Sequence, residues 1–490
     1  VTTTPYRWRW AALAVILAAE IMDMLDALVT NIAAPAIRAD LGGSPATVQW
    51  LAAGYTLAMA VGLVTGGRLG DLYGRRRMFL VGVAGFTLAS LLCGLAASPG
   101  ALVGSRLLQG LFGAVLLPQG LGMIKQMFPP GEAAAAFGLF GPVMGLASVG
   151  GPTLAGWLTD ADLFGTGWRM IFLINLPLGL TALLAGWRFL PQGRGERATR
   201  LDLGGALLVS AGAGLLVYPL VQGRELGWPW WTFAMAVAAL AVFAAFGRHQ
   251  VLRQRAGGDP LVVPSLFGKR AFTGGLVLGL AFFAAVAGFG LVFSLYLQTG
   301  LGYTAVKAGM AQIPWSVGII AGFGLAQAAR RFGRGLVHAG LLIMIAGAGG
   351  TLAALHAAGT GVGPWQLAPA LVVLGTGMGM AMAPLFDIVL SGVEPAETGS
   401  AGGTLTAVQQ LGGALGAAVL GTVFFARAGE SSGHGAAPGP AGASLQTAMQ
   451  VTLWVEIALF ALAFALAFLL PGHARSDQDA ETGAGTPVTV

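Results

Sequence analysis

Runs of ~20 apolar residues recur along nearly the whole chain, and no other feature constrains its fold as strongly. A helix of that length crosses the ~30 Å hydrocarbon core of a bilayer, where every backbone polar group has to be paired internally. Fourteen such runs can be marked. The first six lie near 11–35, 47–67, 78–97, 101–125, 134–158 and 170–190, and two more near 203–221 and 230–246. The last six lie near 272–297, 308–328, 336–357, 365–390, 403–426 and 446–470. Charged residues are only 9% of the chain, against about 25% in an ordinary soluble domain. A soluble enzyme, a nucleic-acid-binding protein and a disordered chain are thereby excluded, although the polar, Gly-rich tail after Pro471 reads as disordered. The 79 glycines suit helices packed closely in lipid. A single cysteine, Cys93, leaves no disulfide framework.

The basic residues orient the spans. With the N-terminus inside, twenty of the 26 Lys and Arg fall on the cytoplasmic side, five outside (Arg38, Arg169, Arg224, Lys307 and Arg427), and Arg106 within a span. That asymmetry predicts a multi-pass protein of the inner (plasma) membrane with both termini cytoplasmic. The first run is too long for a signal-peptide core and is read as retained. Asp71-Leu72-Tyr73-Gly74-Arg75 after the second span is echoed by Arg330-Arg331-Phe332-Gly333-Arg334 after the tenth. Both place an aromatic, Gly and Arg at a cytoplasmic turn, which points to two parallel six-helix halves. The expected architecture is an all-α polytopic membrane protein. It has a six-helix bundle over 1–200, an inserted helix pair over 201–250, a second bundle over 251–470 and a tail over 471–490.

Five stretches carry a family resemblance. Gly67-Arg68-Leu69-Gly70-Asp71-Leu72-Tyr73-Gly74-Arg75-Arg76-Arg77 resembles the signature loop of the major facilitator superfamily. Physically, Gly70 and Gly74 permit a tight turn, and Asp71 can cap a helix or pair with an arginine such as Arg75. The resemblance implies a latch between the two halves, with Leu72 replacing a charged residue; a merely positive-inside loop is the plainer alternative. Leu25-Asp26-Ala27-Leu28-Val29-Thr30-Asn31-Ile32-Ala33-Ala34-Pro35 is similar to the first-helix motif of drug–proton antiporters, and Arg106-Leu107-Leu108-Gln109-Gly110 to a motif with a buried arginine. Gly145-Leu146-Ala147-Ser148-Val149-Gly150-Gly151-Pro152, followed by Gly156, resembles a fifth-helix motif associated with antiport. Trp168-Arg169 leading to Phe172, Asn175 and Pro177 is similar to the branch with fourteen helices. The resemblance therefore implies a major facilitator fold of two six-helix bundles plus two inserted helices, and a fourteen-helix drug–proton antiporter of the multidrug efflux type. Gating would use Gly70, Asp71, Gly74, Arg75, Gly145, Gly150, Gly151 and Pro152, where helix packing alone is the alternative for the fifth-helix glycines.

Ionisable groups inside a bilayer cost about 2.5–3.5 kcal/mol each on insertion scales. Glu20, Asp23 and Asp26 share one broad face of the first span, because a spacing of three turns each by about 60° from the last. Asp26 lies ~13 Å below the outer end at Pro35 and Arg106 ~9 Å below the same surface. A neighbouring cation favours a charged carboxylate, and a dry apolar site favours a neutral one. Asp26 is therefore expected to carry the proton with Arg106 tuning it, while Glu20 and Asp23 extend the path or meet substrate. The alternative for Arg106 is snorkelling to the interface. Asp387 is expected at the substrate or at an intracellular gate, unless it is a satisfied structural carboxylate. Glu456 is expected to make a structural contact and Gln298 to be interfacial. Asn31, Trp50, Tyr55, Trp315, Gln409 and Gln410 are candidates for lining an apolar cavity, although each aromatic can equally be packing.

Spans two, ten and thirteen contain no acid, which argues for small lipophilic substrates, cationic or neutral, rather than divalent cations. The expected partners are that substrate, protons and the lipid bilayer, with no nucleic acid, no metal and no cofactor beyond the proton motive force; a monomer is expected. A proton-coupled importer or exporter of an endogenous metabolite is the rival on the same fold. A catalytic cluster for a membrane enzyme is not recognisable, and GxxxxGK[ST] for an ATP-driven pump is missing.

Overall fold

The computed structural model describes residues 6–129, 132, 136, 139–192, 201–394, 397–430 and 441–472. Expectations on Arg194, Arg197, Arg200, Arg475 and the tail from 473 lie outside these residues, as do those on the side chains of Lys125 and Ser148. The chain begins with α1 (Arg9–Leu41), α2 (Pro45–Tyr73), α3 (Arg75–Gly94) and α4 (Pro99–Met127). After these come α5 (Phe140–Asp160), α6 (Gly167–Phe189), α7 (Leu203–Gln222) and α8 (Trp230–Arg255). The remainder is α9 (Arg270–Gly300), α10 (Ala305–Ala328), α11 (Arg334–Ala358), α12 (Pro364–Leu390), α13 (Thr398–Glu430) and α14 (Ala441–Leu466).

Among the described residues, twelve helices are long and apolar enough to cross a membrane. The two left out by that measure are α1, with three carboxylates in its middle, and α5, which is dominated by small residues. Twelve spans are thus supported by length and composition, where fourteen runs were read from the sequence. Several helices outrun their apolar runs. The polar segment after residue 67 stays helical until Gly74, whose φ of 92° ends α2. Gly74 makes the expected turn, but Gly70 does not. It lies inside α2, where a Cβ would fall 1.8 Å from Gln119 Oε1 of α4.

Backbones approach through glycines in both halves, and the pattern repeats. A Cβ on Gly66 of α2 would lie 2.1 Å from the Ala114 carbonyl oxygen of α4; one on Gly322 of α10 would lie 2.2 Å from the Thr376 carbonyl oxygen of α12. Gly333, with φ 47°, turns the chain from α10 into α11 as Gly74 turns it from α2 into α3. Pro314 lacks an N–H to donate, and α10 breaks one position before Ile313, at Gln312.

The inserted α7 and α8 pack on each other, and α7 lies across the seam between α2 and α13. There Thr422 Oγ1 donates to the Leu220 carbonyl (2.8 Å), while Gln49 Nε2 donates to the Ala418 carbonyl (3.1 Å) and to Thr422 (3.2 Å). Trp50, expected in the cavity, belongs to this seam instead, with its ring centroid 6.2 Å from that of Tyr218 on α7.

The face where α1 begins is here called the N-terminal face and the opposite one the distal face. Several close approaches between the halves lie at the distal face, while on the N-terminal face Arg68 donates to the Pro260 carbonyl (3.1 Å). Ser294 donates to the Asn31 carbonyl (3.0 Å) and Gln298 to the Ile32 carbonyl (2.8 Å), joining α9 to α1. Gln298, expected at the lipid interface, therefore bridges the halves, presented by the π turn Tyr296–Gly300. Between α5 and α10, a Cβ on Gly156 would lie 2.4 Å from the Ala305 carbonyl oxygen, and one on Gly309 2.3 Å from that of Pro152.

Candidate functional site

Three apolar clusters form the core of the first half, one toward the N-terminal face, one toward the distal face and one beside α2 and α4. A polar constellation sits among them. Asp26, on the buried side of α1, forms an ion pair with Arg106 of α4, and both side chains are essentially sealed from solvent. Asp26 Oδ1 also accepts from Gln109 Nε2 (2.8 Å) and from Asn175 Nδ2 (2.9 Å) of α6. Ser90 of α3 accepts from the same two amides at 2.7 and 2.9 Å. Arg106 reaches the Gln109 carbonyl oxygen (2.7 Å) and the Leu51 backbone carbonyl (3.3 Å), and its guanidinium lies 4.2 Å from the Tyr55 ring centroid. A charge pair taken from water survives only with its remaining hydrogen bonds satisfied, and four helices contribute to doing so here.

Tyr55 hydrogen-bonds Asp23 through its hydroxyl. It was expected in the substrate cavity, but its position in α2 puts it between Asp23 and Arg106. Glu20 is half-buried, Asp23 is 8% exposed and Asp26 is 1% exposed. With ~4.5 Å of rise per step of three, the acids form a ladder from a wetter position nearer the N-terminal face to a dry one at the arginine. Gln109 and Asn175 lay in stretches noted in the sequence, but no role was assigned to them. Ser90 was not noted at all. The available signal was three uncharged polar side chains inside apolar runs.

The other expected residues separate. Among the described residues, Asn31 Oδ1 and Trp315 Nε1 are both buried without a hydrogen-bond partner. Asn31 adjoins Ser294, and the Trp315 ring packs edge-on against Phe289, on the same stretch of α9. Gln409 and Gln410 are half-buried in α13. Asp387 sits one turn from the end of α12, largely exposed, with Arg330 at 3.8 Å. Glu456 is buried in α14, and among the described residues neither carboxylate oxygen has a hydrogen-bond partner. Asp71 pairs with Arg75 at 2.9 Å, and Arg75 lies against Gly122 of α4. Among the described residues, this pair is internal to the first half rather than a latch across to the second. In α5, Gly151 packs on Leu25 and Leu28 of α1, Gly145 lies near Ile320 of α10, and Gly150 faces open space.

Residues 16–417 match the Major Facilitator Superfamily. The chain belongs to that superfamily. A probable actinorhodin transporter of Streptomyces coelicolor is 51% identical over 423 residues, covering 86% of this chain and 73% of that protein. A tetracenomycin C resistance and export protein of Streptomyces glaucescens is 37% identical, covering 86% and 77%. A puromycin resistance protein of Streptomyces alboniger is 40% identical, covering 88% and 85%. A bacterial homologue of the human lysosomal transporter Spinster, solved inward-facing and unoccupied, superposes with a TM-score of 0.63 at 20% identity over 94% of this chain and 97% of that one. That likeness speaks for the fold alone. With the family and these relatives, the chain is a multi-pass membrane transporter.

Proposed function

We propose that this transporter is a proton-coupled antiporter that exports lipophilic antibiotics from the cytoplasm across the plasma membrane by alternating access. The observation that carries the reading is the dry Asp26–Arg106 pair at the end of the Glu20–Asp23–Asp26 ladder. A carboxylate held by a buried arginine releases its proton, and the same group moved into an apolar site takes one up. A conformational change that parts Asp26 from Arg106 would therefore couple proton uptake on one side to release on the other. Export, rather than import, is supported by relatives named for antibiotic export and resistance.

The tight distal contacts fit a state closed to the outside and open toward the cytoplasm, with the termini on that side as the basic residues indicate. We read α1 and α5 as spans as well, giving fourteen, because both match the other twelve in length and pack against one another. Asn31 and Trp315 would then offer an acceptor and a donor to a bound amphipathic molecule, with Gln409 and Gln410 beside the path. The protein works as a monomer, without cofactor other than the proton motive force. The test is uptake into proteoliposomes under an imposed pH gradient, screened across cationic, neutral and anionic antibiotics. Gradient-driven accumulation of at least one is expected; gradient-independent equilibration of all that enter contradicts the reading.

A further inference from the structure

A second polar feature lies outside the acid ladder, on the N-terminal face of the first half. A cavity of about 620 Å³ is lined by Tyr6, Arg76, Trp187, Arg188, Leu190 and Gln192. Among the described residues neither arginine has a carboxylate partner, and no acidic side chain lines the cavity. Arg76 is fixed by a hydrogen bond from its guanidinium to the Trp187 carbonyl, while its Nε is buried with no partner among the described residues. Arg188 is held over the Trp8 ring (5.4 Å). Aromatic rings of this kind settle at the headgroup level of a membrane. Directly along the helices from the cavity, α3 and α6 close tightly, with a Cβ on Gly186 only 3.1 Å from Leu80. On their outer sides Leu88, Leu180 and Leu184 are more than half exposed, as is Trp187 at 71%. A basic, donor-rich cavity thus opens onto an apolar strip at membrane depth.

We propose that this cavity binds the phosphodiester headgroup of an anionic phospholipid, with the acyl chains lying along the exposed strip of α3 and α6. Two guanidinium groups match a phosphate in charge and geometry, and basic pockets between spans are where such headgroups dock. The site is independent of the transport reading, since it shares no residue with the acid ladder.

Binding to the purified full chain in mild detergent tests this, read as lipid adducts by native mass spectrometry. Phosphatidylglycerol, phosphatidylcholine with the same chains, and inorganic phosphate are titrated separately. Phosphatidylglycerol is expected to bind most tightly, and Arg188→Gln to weaken it by about fivefold. Arg188→Lys, which keeps the charge, should stay within about twofold, and so should Arg255→Gln, remote on the same face. Among the described residues Arg188 makes no hydrogen bond to the backbone, so its variants are expected to stay folded where Arg76→Gln could fail. Equal binding of phosphatidylcholine, or equal losses in the Arg188 and Arg255 variants, overturns the proposal. Displacement of the lipid by millimolar phosphate would assign a small-anion site instead and also overturn it.

Discussion

Asp26 accepts hydrogen bonds from Arg106, Gln109 and Asn175, so its neutral isostere keeps most of the geometry and loses the charge. Asp26→Asn leaves Arg106 buried without a counter-ion, which costs about 3–5 kcal/mol. Denaturant unfolding should show that loss, and adding Arg106→Gln should recover much of it, because two neutral groups can pair where one charge cannot. A single variant no less stable than the parent would show that the pair does not have the buried character described here. The three acids of α1 were legible because an ionised group in an apolar run needs a reason and a spacing of three keeps it on one face. Gln109, Asn175 and Ser90 were not, since uncharged polar groups raise no comparable alarm. Trp50 and Tyr55 were assigned together to a cavity, yet five positions on a helix turn by about 140°. One therefore meets α7 and the other the acids.

Helices meet where glycines allow it, and the distal closure depends on one such approach. Gly156→Ala would drive a Cβ to within 2.4 Å of the Ala305 carbonyl oxygen, forcing α5 away from α10. Engineered cysteines near that contact should become more reactive to water-soluble thiol reagents, with little background because the native Cys93 is buried. Unchanged reactivity would remove α5–α10 packing as the distal seal. At the opposite face, Asp202 caps α7 through the Gly205 N–H (2.9 Å) and accepts from His249 and Gln250, both at 2.8 Å. Burial pushes its pKa up, but the hydrogen bonds from His249, Gly205 and Gln250 outweigh burial and hold it below the usual value. Its contribution is therefore present above the ordinary aspartate range and is lost as pH falls through the depressed folded value. Thermal unfolding should lose stability on acidification below about pH 4, and Asp202→Asn should remove that acid limb while costing stability at neutral pH. An acid limb of unchanged size in the variant would dissociate it from Asp202. Apolar periodicity located the helices well, but it could not say that α2 remains helical through its polar end. Only Gly74, with a left-handed φ, stops it.

The plan of the whole molecule was legible at two levels of detail. Repeated glycine–arginine turns and long apolar runs identify a transporter fold, and both turns are present at Gly74 and Gly333. The seam-covering position of α7 was not readable, because its sequence is almost uniformly apolar and names no neighbour. The proposed sidedness rests on the basic residues, and on it a fluorescent reporter fused after Val490 should light up in the cytoplasm, and one placed between Gly42 and Ser44 should not. The reverse pattern would invert the direction of every step proposed. The account rests above all on Asp26 exchanging a proton as substrate binds. Proton release from purified protein in weakly buffered detergent, recorded on addition of a transported antibiotic at several pH values, tests it most directly. Substrate-induced release that disappears in Asp26→Asn is the expected result. Undiminished release from that variant, with binding intact, would contradict it.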